Sequence, residues 1–175
     1  MTDLSLLPAQ PRRGDTSLLL RAAILAAGGT LSLMAVVAMA RGALGLSPTL
    51  ARAHDVAVWI HLGSVLPALP LGLYVLLSRK GDARHRMLGR IWAGLMVVAA
   101  LSALALRDLN HGQFSFIHIF IPITLIGLWR AIAAARAGRI ATHRKVMVSL
   151  YLAGLIGAGS FAFMPGRVMG TWLFG

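Results

Sequence analysis

Five long apolar stretches recur along this chain, and they constrain its fold more than any other feature. Each holds about 20 residues, the length that an α-helix needs to cross a hydrocarbon core of roughly 30 Å. Hydrophobic residues make up 58% of the 175 residues and charged residues only 13%, a composition that excludes an ordinary water-soluble domain. We therefore predict an all-α membrane protein with five transmembrane helices, over residues 21–41, 56–77, 88–106, 114–134 and 146–164.

The five spans and their short connections leave no room for a soluble domain, so residues 19–175 are expected to form a single helical bundle. Residues 1–18 are interpreted as a polar cytoplasmic tail. The basic pair Arg12 and Arg13 before an apolar run resembles an export signal, but Arg21 interrupts the start of that run. We therefore expect a retained first helix.

The net charge of +12 is distributed unevenly over the two sides of the predicted bundle. Of the 17 lysines and arginines, 13 fall on the side of the N-terminus and only 4 on the other side. By the positive-inside rule this predicts an N-terminus in the cytoplasm and a C-terminus outside. We expect the membrane to be the bacterial inner (cytoplasmic) membrane. The charge is thereby explained by topology and attraction to anionic lipid, and no nucleic-acid partner is predicted.

Missing residue types exclude several classes of function. The chain has no cysteine, which excludes disulfides, thiolate metal sites, iron–sulfur clusters and thioether-linked haem. Its five acidic residues are all aspartates in the tail or at the ends of spans. A proton-coupled transporter normally keeps a carboxylate within the membrane, and a metalloprotease needs one as general base, so neither class is favoured.

All six histidines follow one spacing pattern that occurs twice, with intervals of seven and then 24 or 25 residues: His54, His61 and His85 in the first copy, and His111, His118 and His143 in the second. Repetition at this period indicates a duplicated helical hairpin. We therefore predict that helices 2–5 form a four-helix bundle from two such hairpins.

The histidines that lie within the spans form two predicted pairs at different depths. His61 and His118 are expected to be level near the outer surface, on helices 2 and 4. His85 and His143 are expected to be level near the inner surface, on helices 3 and 5, roughly 20 Å deeper. In a bundle of sequential order the members of each pair lie on diagonal helices and face each other across the core, as the two axial ligands of a haem iron must.

Arginines follow the inner pair directly and are candidate partners of haem propionates: Arg86, Arg90 and Arg144. On the outer side, Arg52 and Arg107 are the only obvious candidates.

Simpler interpretations of the same histidines remain open. His61 and His118 can each be a core residue bonded to a backbone carbonyl. His85 and His143 can each be a basic anchor at the cytoplasmic interface. His54 and His111 lie two turns outward of His61 and His118 on the same helical face, and we interpret them as interfacial residues.

The order of the histidines resembles that in the transmembrane diheme cytochromes of the cytochrome b561 type over roughly residues 54–165. In that family helices 2–5 carry one ligand each, paired second with fourth and third with fifth. The resemblance implies that His61 and His118 ligate an outer haem b, and His85 and His143 an inner one. The strings HRMLGR at 85–90 and HRKVM at 143–147 are also similar to a bacterial family of predicted membrane proteins of unknown function, over most of the chain.

Three functions therefore remain after the sequence has been considered. The leading hypothesis is electron transfer, by an electron carrier or transmembrane oxidoreductase in the lipid bilayer with one or two haems and with quinone as a possible partner. The second is a haem-free structural or accessory subunit of a larger membrane complex. The third is a small transporter or sensor that uses the histidines for protons or metal.

Overall fold

The computed structural model describes residues 17–48, 55–107 and 113–175. In these residues five helices are long and apolar enough to cross a membrane, and a sixth, shorter helix follows them. Their bounds are α1 Leu18–Ala43, α2 Val56–Leu77, α3 Ala83–Ala103, α4 Phe116–Arg136, α5 Ile140–Phe163 and α6 Val168–Phe174. The predicted N-terminal tail lies almost wholly outside the described residues, as do His54, His111 and Arg52.

Two of the long helices are not α-helical throughout. α4 opens with a 3₁₀ turn over Phe116–Ile119. α5 changes to a π-helix over Leu150–Gly157 and ends in a 3₁₀ turn over Phe161–Phe163. π segments are rare and frequently occur at functional sites, and no signal in the sequence marks this one.

The helices α3 and α5 begin earlier than the apolar pattern predicts, at Ala83 rather than residue 88 and at Ile140 rather than residue 146. Asp82 caps α3, because its carboxylate accepts a hydrogen bond from the amide of His85 at 2.7 Å. α5 begins without a side-chain cap, and Thr142 lies inside the helix. Helical hydrogen bonding continues into the headgroup layer, where charged side chains are tolerated, so apolar runs mark the hydrocarbon and not the helix ends.

The long helices pack in chain order around a common core. α2 packs on α3, α3 on α4 and α4 on α5, and the π segment of α5 returns to α2. α1 covers α2 and α5 from outside and also contacts α6. α2 therefore lies diagonally opposite α4, and α3 opposite α5, whereas the duplication of two hairpins stays a prediction.

We name the two halves of the bundle after the orientation that the basic residues predict. The inner half is nearest the connections at residues 78–82 and 137–139, and the outer half is nearest the opposite ends of the helices. The inner half is closely packed around Tyr151, which is fully buried, and Trp92, which is 2% exposed. The Tyr151 hydroxyl donates to the carbonyl of Leu69 at 3.1 Å, and the Trp92 Nε1–H donates to that of Ala68 at 3.0 Å.

Gly72 allows the rings of Trp92 and Tyr151 to pack directly against the backbone of α2. A Cβ at this position would collide with Nε1 of Trp92 and would lie 2.7 Å from two ring carbons of Tyr151. Trp92 therefore belongs to the core.

The short helix α6 folds back onto the outer end of α1. Gly166, with a φ of +77°, adopts a left-handed conformation and reverses the chain after α5. The guanidinium of Arg41 then donates to the carbonyls of Trp172 and Gly175, both at 2.9 Å. Arg41 thereby ties the last turn of α6 to α1.

We expect the substitution Arg41→Gln to accelerate hydrogen exchange at the amides of α6 by about tenfold, because hydrogen bonds from a charged group stabilise by roughly 1.5–3 kcal/mol. Exchange measured by mass spectrometry in detergent micelles tests this. Arg107→Gln is the matched control, since the Arg107 Nε–H donates to the nearby carbonyl of Leu104 and not to α6 among the described residues. Unchanged exchange in α6 of Arg41→Gln would show that other contacts hold the helix.

Candidate functional site

A cavity of about 240 Å³ lies within the outer half of the bundle, with walls from all six helices. This volume is slightly below the range of about 300–1,000 Å³ that is typical of small-molecule pockets. Most of the walls are apolar. Four of the described residues bring polar side chains to the lining: His61, His118, Thr124 and Arg167.

His61, from α2, is held in a defined orientation by α3. Its Nδ1 lies 3.0 Å from the carbonyl oxygen of Ala99 and 3.1 Å from the hydroxyl of Ser102. A carbonyl only accepts hydrogen bonds, so Nδ1 carries the proton and donates a hydrogen bond to the carbonyl of Ala99. In the neutral ring this leaves a lone pair on Nε2, which is the arrangement that metal-ligating histidines use.

His118, from the 3₁₀ turn of α4, has a buried Nε2 with no hydrogen-bond partner among the described residues. Its Nδ1 lies 3.1 Å from the amide nitrogen of Ser115 and 3.2 Å from the carbonyl oxygen of the same residue. When Nδ1 accepts from the amide, Nε2 carries the proton. When Nδ1 is protonated and donates to the carbonyl, Nε2 presents a lone pair. His118 can therefore offer either a donor or a ligand atom.

The walls of the cavity suit a flat, apolar ligand. Small side chains line much of them, including Ala99, Ala100 and Ala103 from α3. The glycine-rich part of α5 contributes Gly154 and Gly159 to the lining. A Cβ on Gly154 would make an ordinary contact with the Thr124 hydroxyl, at 3.5 Å, so the helices are not in tight contact there.

Haem b fits the donor set of this cavity. The described residues contain no group of three or more His, Cys, Asp or Glu that could hold a metal ion. A macrocycle, however, supplies four ligand atoms of its own and needs only two axial nitrogens from the protein. His61 offers one such nitrogen, and the Nε2 of His118, which has no partner among the described residues, is a candidate for the other.

The inner histidines occupy the first turns of α3 and α5, and neither lines the cavity. The His143 Nδ1 lies 3.0 Å from the carbonyl of Ala131, while Nδ1 of His85 is buried without a partner among the described residues. Further along the same two helices come the buried side chains of Trp92, Met147 and Tyr151, which separate this pair from the cavity.

The arginines named with the inner pair lie at the inner end of the bundle. Arg86 and Arg90 are exposed and Arg144 is half-buried. Arg86 donates to the carbonyl of Gly81 at 2.7 Å.

The outer arginines are arranged differently from what the sequence suggests. Arg107 does not line the cavity, and its guanidinium carbon lies 4.4 Å above the ring of Phe114. Arg167, which the sequence reasoning passed over, lines the cavity. The turn signal Pro165-Gly166 just before it is the feature that indicates a chain reversal at the end of the fifth span.

Residues 58–169 match the model of a family described as "Predicted membrane protein (DUF2306)". The match covers well over half of the chain and includes α3, α4 and α5 with the four histidines of both predicted pairs. No curated protein and no solved structure matches the chain.

Proposed function

We propose that this chain, which belongs to that family of predicted membrane proteins, is a b-type cytochrome-like electron-transfer protein with haem b in the outer cavity. His61 and His118 would hold this haem, each through its Nε2. One observation carries the proposal: two imidazoles from diagonal helices line the same apolar cavity, and one of them has a buried Nε2 without a partner among the described residues.

Each residue of the cavity has a role in this proposal. Haem b, when bound, supplies reversible one-electron exchange at its iron. The carbonyl of Ala99 orients the ring of His61 and increases the basicity of its Nε2. Ser115 orients the ring of His118, because its carbonyl can accept a hydrogen bond from a protonated Nδ1. The alanine and glycine walls leave room for the macrocycle and exclude water from it.

The inner pair, His85 and His143, is proposed as a second set of haem ligands. Its support is the Nδ1 of His143, which donates a hydrogen bond to the carbonyl of Ala131 and leaves Nε2 available. Arg86, Arg90 and Arg144 then act as partners of the propionates. Two centres at these depths would carry electrons from a cytoplasmic or quinone-level donor to an acceptor on the outer side.

The visible spectrum of the purified protein tests the proposal. Protein made in haem-replete cells and purified in mild detergent is expected to show a Soret band and, after reduction, the sharp α-band of a six-coordinate low-spin haem b. A colourless protein would contradict the proposal. A colourless protein that purifies with stoichiometric partners would instead support an accessory subunit.

The proposal requires the space beside Gly154 in the cavity, and filling that space gives a further prediction. We expect Gly154→Leu to lower haem content several-fold, because the added side chain takes space beside Thr124 that the macrocycle needs. The ratio of Soret absorbance to protein measures this. Gly94→Leu is the matched control, since a Cβ on Gly94 of α3 meets nothing within 4 Å. Equal haem content in both variants would place the haem elsewhere.

A further inference from the structure

A shallow groove lies on the surface of α4 near its inner end. Its lining residues follow one another at helical spacing: Trp129, Ile132, Ala133, Arg136 and Ala137. They face away from the bundle, since Trp129 is 71% exposed and the side chains of Ile132 and Arg136 are exposed as well. None of them lines the outer cavity, so the groove is a separate feature of the molecule.

Two exposed arginines flank this groove. Arg136, which lines it, is the last residue of α4. Arg130 precedes Ala133 by three residues and Ala137 by seven, so it lies beside the groove on the same face of the helix. It is also about 9 Å further into the membrane than Arg136, because six residues of helix separate the two.

The protein itself supplies no partner for these two guanidinium groups. In the part of the chain that the structure describes, neither Arg130 nor Arg136 makes a hydrogen bond or an ion pair. By contrast, Arg86 donates to the carbonyl of Gly81 at 2.7 Å. A charge that faces hydrocarbon without a counter-ion is costly, and a long side chain lowers this cost by extending to the phosphates of the headgroup layer.

The side-chain carboxylates of the described residues are already used at helix starts. Asp55 accepts from the amide of Ala57 in α2, and Asp82 accepts from that of His85 in α3. Neither lines the groove, so an anion for the two arginines has to come from outside the protein.

The remaining groups of the groove match the other parts of a phospholipid. The indole N–H of Trp129 has no hydrogen-bond partner among the described residues and lies about 10 Å deeper than Arg136, since seven residues separate them. Ile132 and Ala133 supply apolar surface between the two. A phospholipid presents its phosphate, its ester carbonyls and its acyl chains in the same order, from the headgroup layer into the hydrocarbon.

We propose that this groove binds one anionic glycerophospholipid from the leaflet at the inner end of the bundle. Arg130 and Arg136 hold its phosphate, and an ester carbonyl accepts from the indole N–H of Trp129. One acyl chain lies on Ile132 and Ala133. A zwitterionic lipid carries an ammonium group that the two arginines repel, so the site selects for net negative charge. This site does not depend on haem or on the proposed electron transfer.

The test titrates delipidated protein in detergent with phosphatidylglycerol and with phosphatidylcholine of the same acyl chains. Native mass spectrometry gives the dissociation constant of the first lipid bound. Wild-type protein is expected to prefer phosphatidylglycerol by about tenfold or more, because each arginine near an anionic lipid changes affinity by about fivefold. Arg136→Gln should therefore weaken phosphatidylglycerol binding about fivefold, and the double variant Arg130→Gln/Arg136→Gln should lose the preference.

Arg79→Gln is the matched control, since it removes an exposed arginine at the same end of the bundle that does not line the groove. It should bind phosphatidylglycerol as wild type does. Equal binding of both lipids by wild-type protein would overturn the inference, and this result needs no variant to fold. The inference also fails if the double variant keeps the preference. A loss in Arg79→Gln as large as that in Arg136→Gln would overturn it too, because selectivity would then come from the overall positive charge.

Discussion

The substitution His118→Ala is expected to remove the haem from the outer cavity and lower the haem content by about one equivalent per chain. The reason is that α4 offers no other nitrogen ligand to the cavity among the described lining residues, and a macrocycle held by His61 alone loses one of its two axial bonds. The loss should appear as reduced absorbance per protein and as conversion of any remaining haem from low to high spin. Optical and electron paramagnetic resonance spectra measure both effects.

His143→Ala serves as the control for this prediction, since His143 does not line the cavity. It should leave the outer centre, with its low-spin spectrum, intact. His61→Ala should reproduce the loss expected of His118→Ala, because the proposal gives its Nε2 the same role on the other side of the cavity. If His118→Ala and His143→Ala lose haem equally and with the same spectrum, the assignment of the outer pair is wrong.

Gly72→Ala is expected to destabilise the bundle by roughly 1–3 kcal/mol, or a fall in Tm of about 3–10 °C. The added Cβ would collide with Trp92 and press on the ring of Tyr151. Both rings are bonded to carbonyls of the same helix, so neither can move away without losing a hydrogen bond. Thermal unfolding in detergent, followed by tryptophan fluorescence, measures the change.

Gly63→Ala is the matched control within α2. A Cβ on Gly63 meets nothing within 4 Å, so the only effect expected is the gain in helix propensity, about 0.5–1 kcal/mol. Both substitutions add the same methyl group, but only the one at Gly72 meets neighbouring rings. The two should therefore change Tm in opposite directions. A loss of stability in both would mean that glycine in α2 serves helix flexibility rather than ring packing.

Much of the helical framework could be predicted from the sequence. The apolar run of α2 marks both of its ends correctly, at Val56 and Leu77. In α3 and α5 the same reasoning places the start five or six residues late, because charged side chains can continue a helix into the headgroup layer. The short helix α6 was not predicted, since seven residues are too few to show a periodic pattern.

The candidate site was predictable in part. Counting residues along the helices puts His61 and His118 at the same depth, and both line the same cavity. The partners that set their tautomers, Ala99 and Ser115, could not be predicted, since they depend on which carbonyl a neighbouring helix or turn presents. Arg167 was missed for a similar reason: only the reversal at Gly166 brings it from beyond the last span to the cavity.

The sequence by itself indicated five helices that are long and apolar enough to cross a membrane, because lipid requires each apolar span to satisfy its own backbone hydrogen bonds as a helix. It also predicted that His61 and His118 lie at one depth, since the rise per residue of a helix is constant, and both line the cavity. Only the tertiary structure decided that the outer half holds a cavity while Trp92, Tyr151 and Gly72 close the inner half. Whether a cavity remains between helices depends on contacts between side chains that are far apart in the sequence, and no local sequence pattern predicts those contacts.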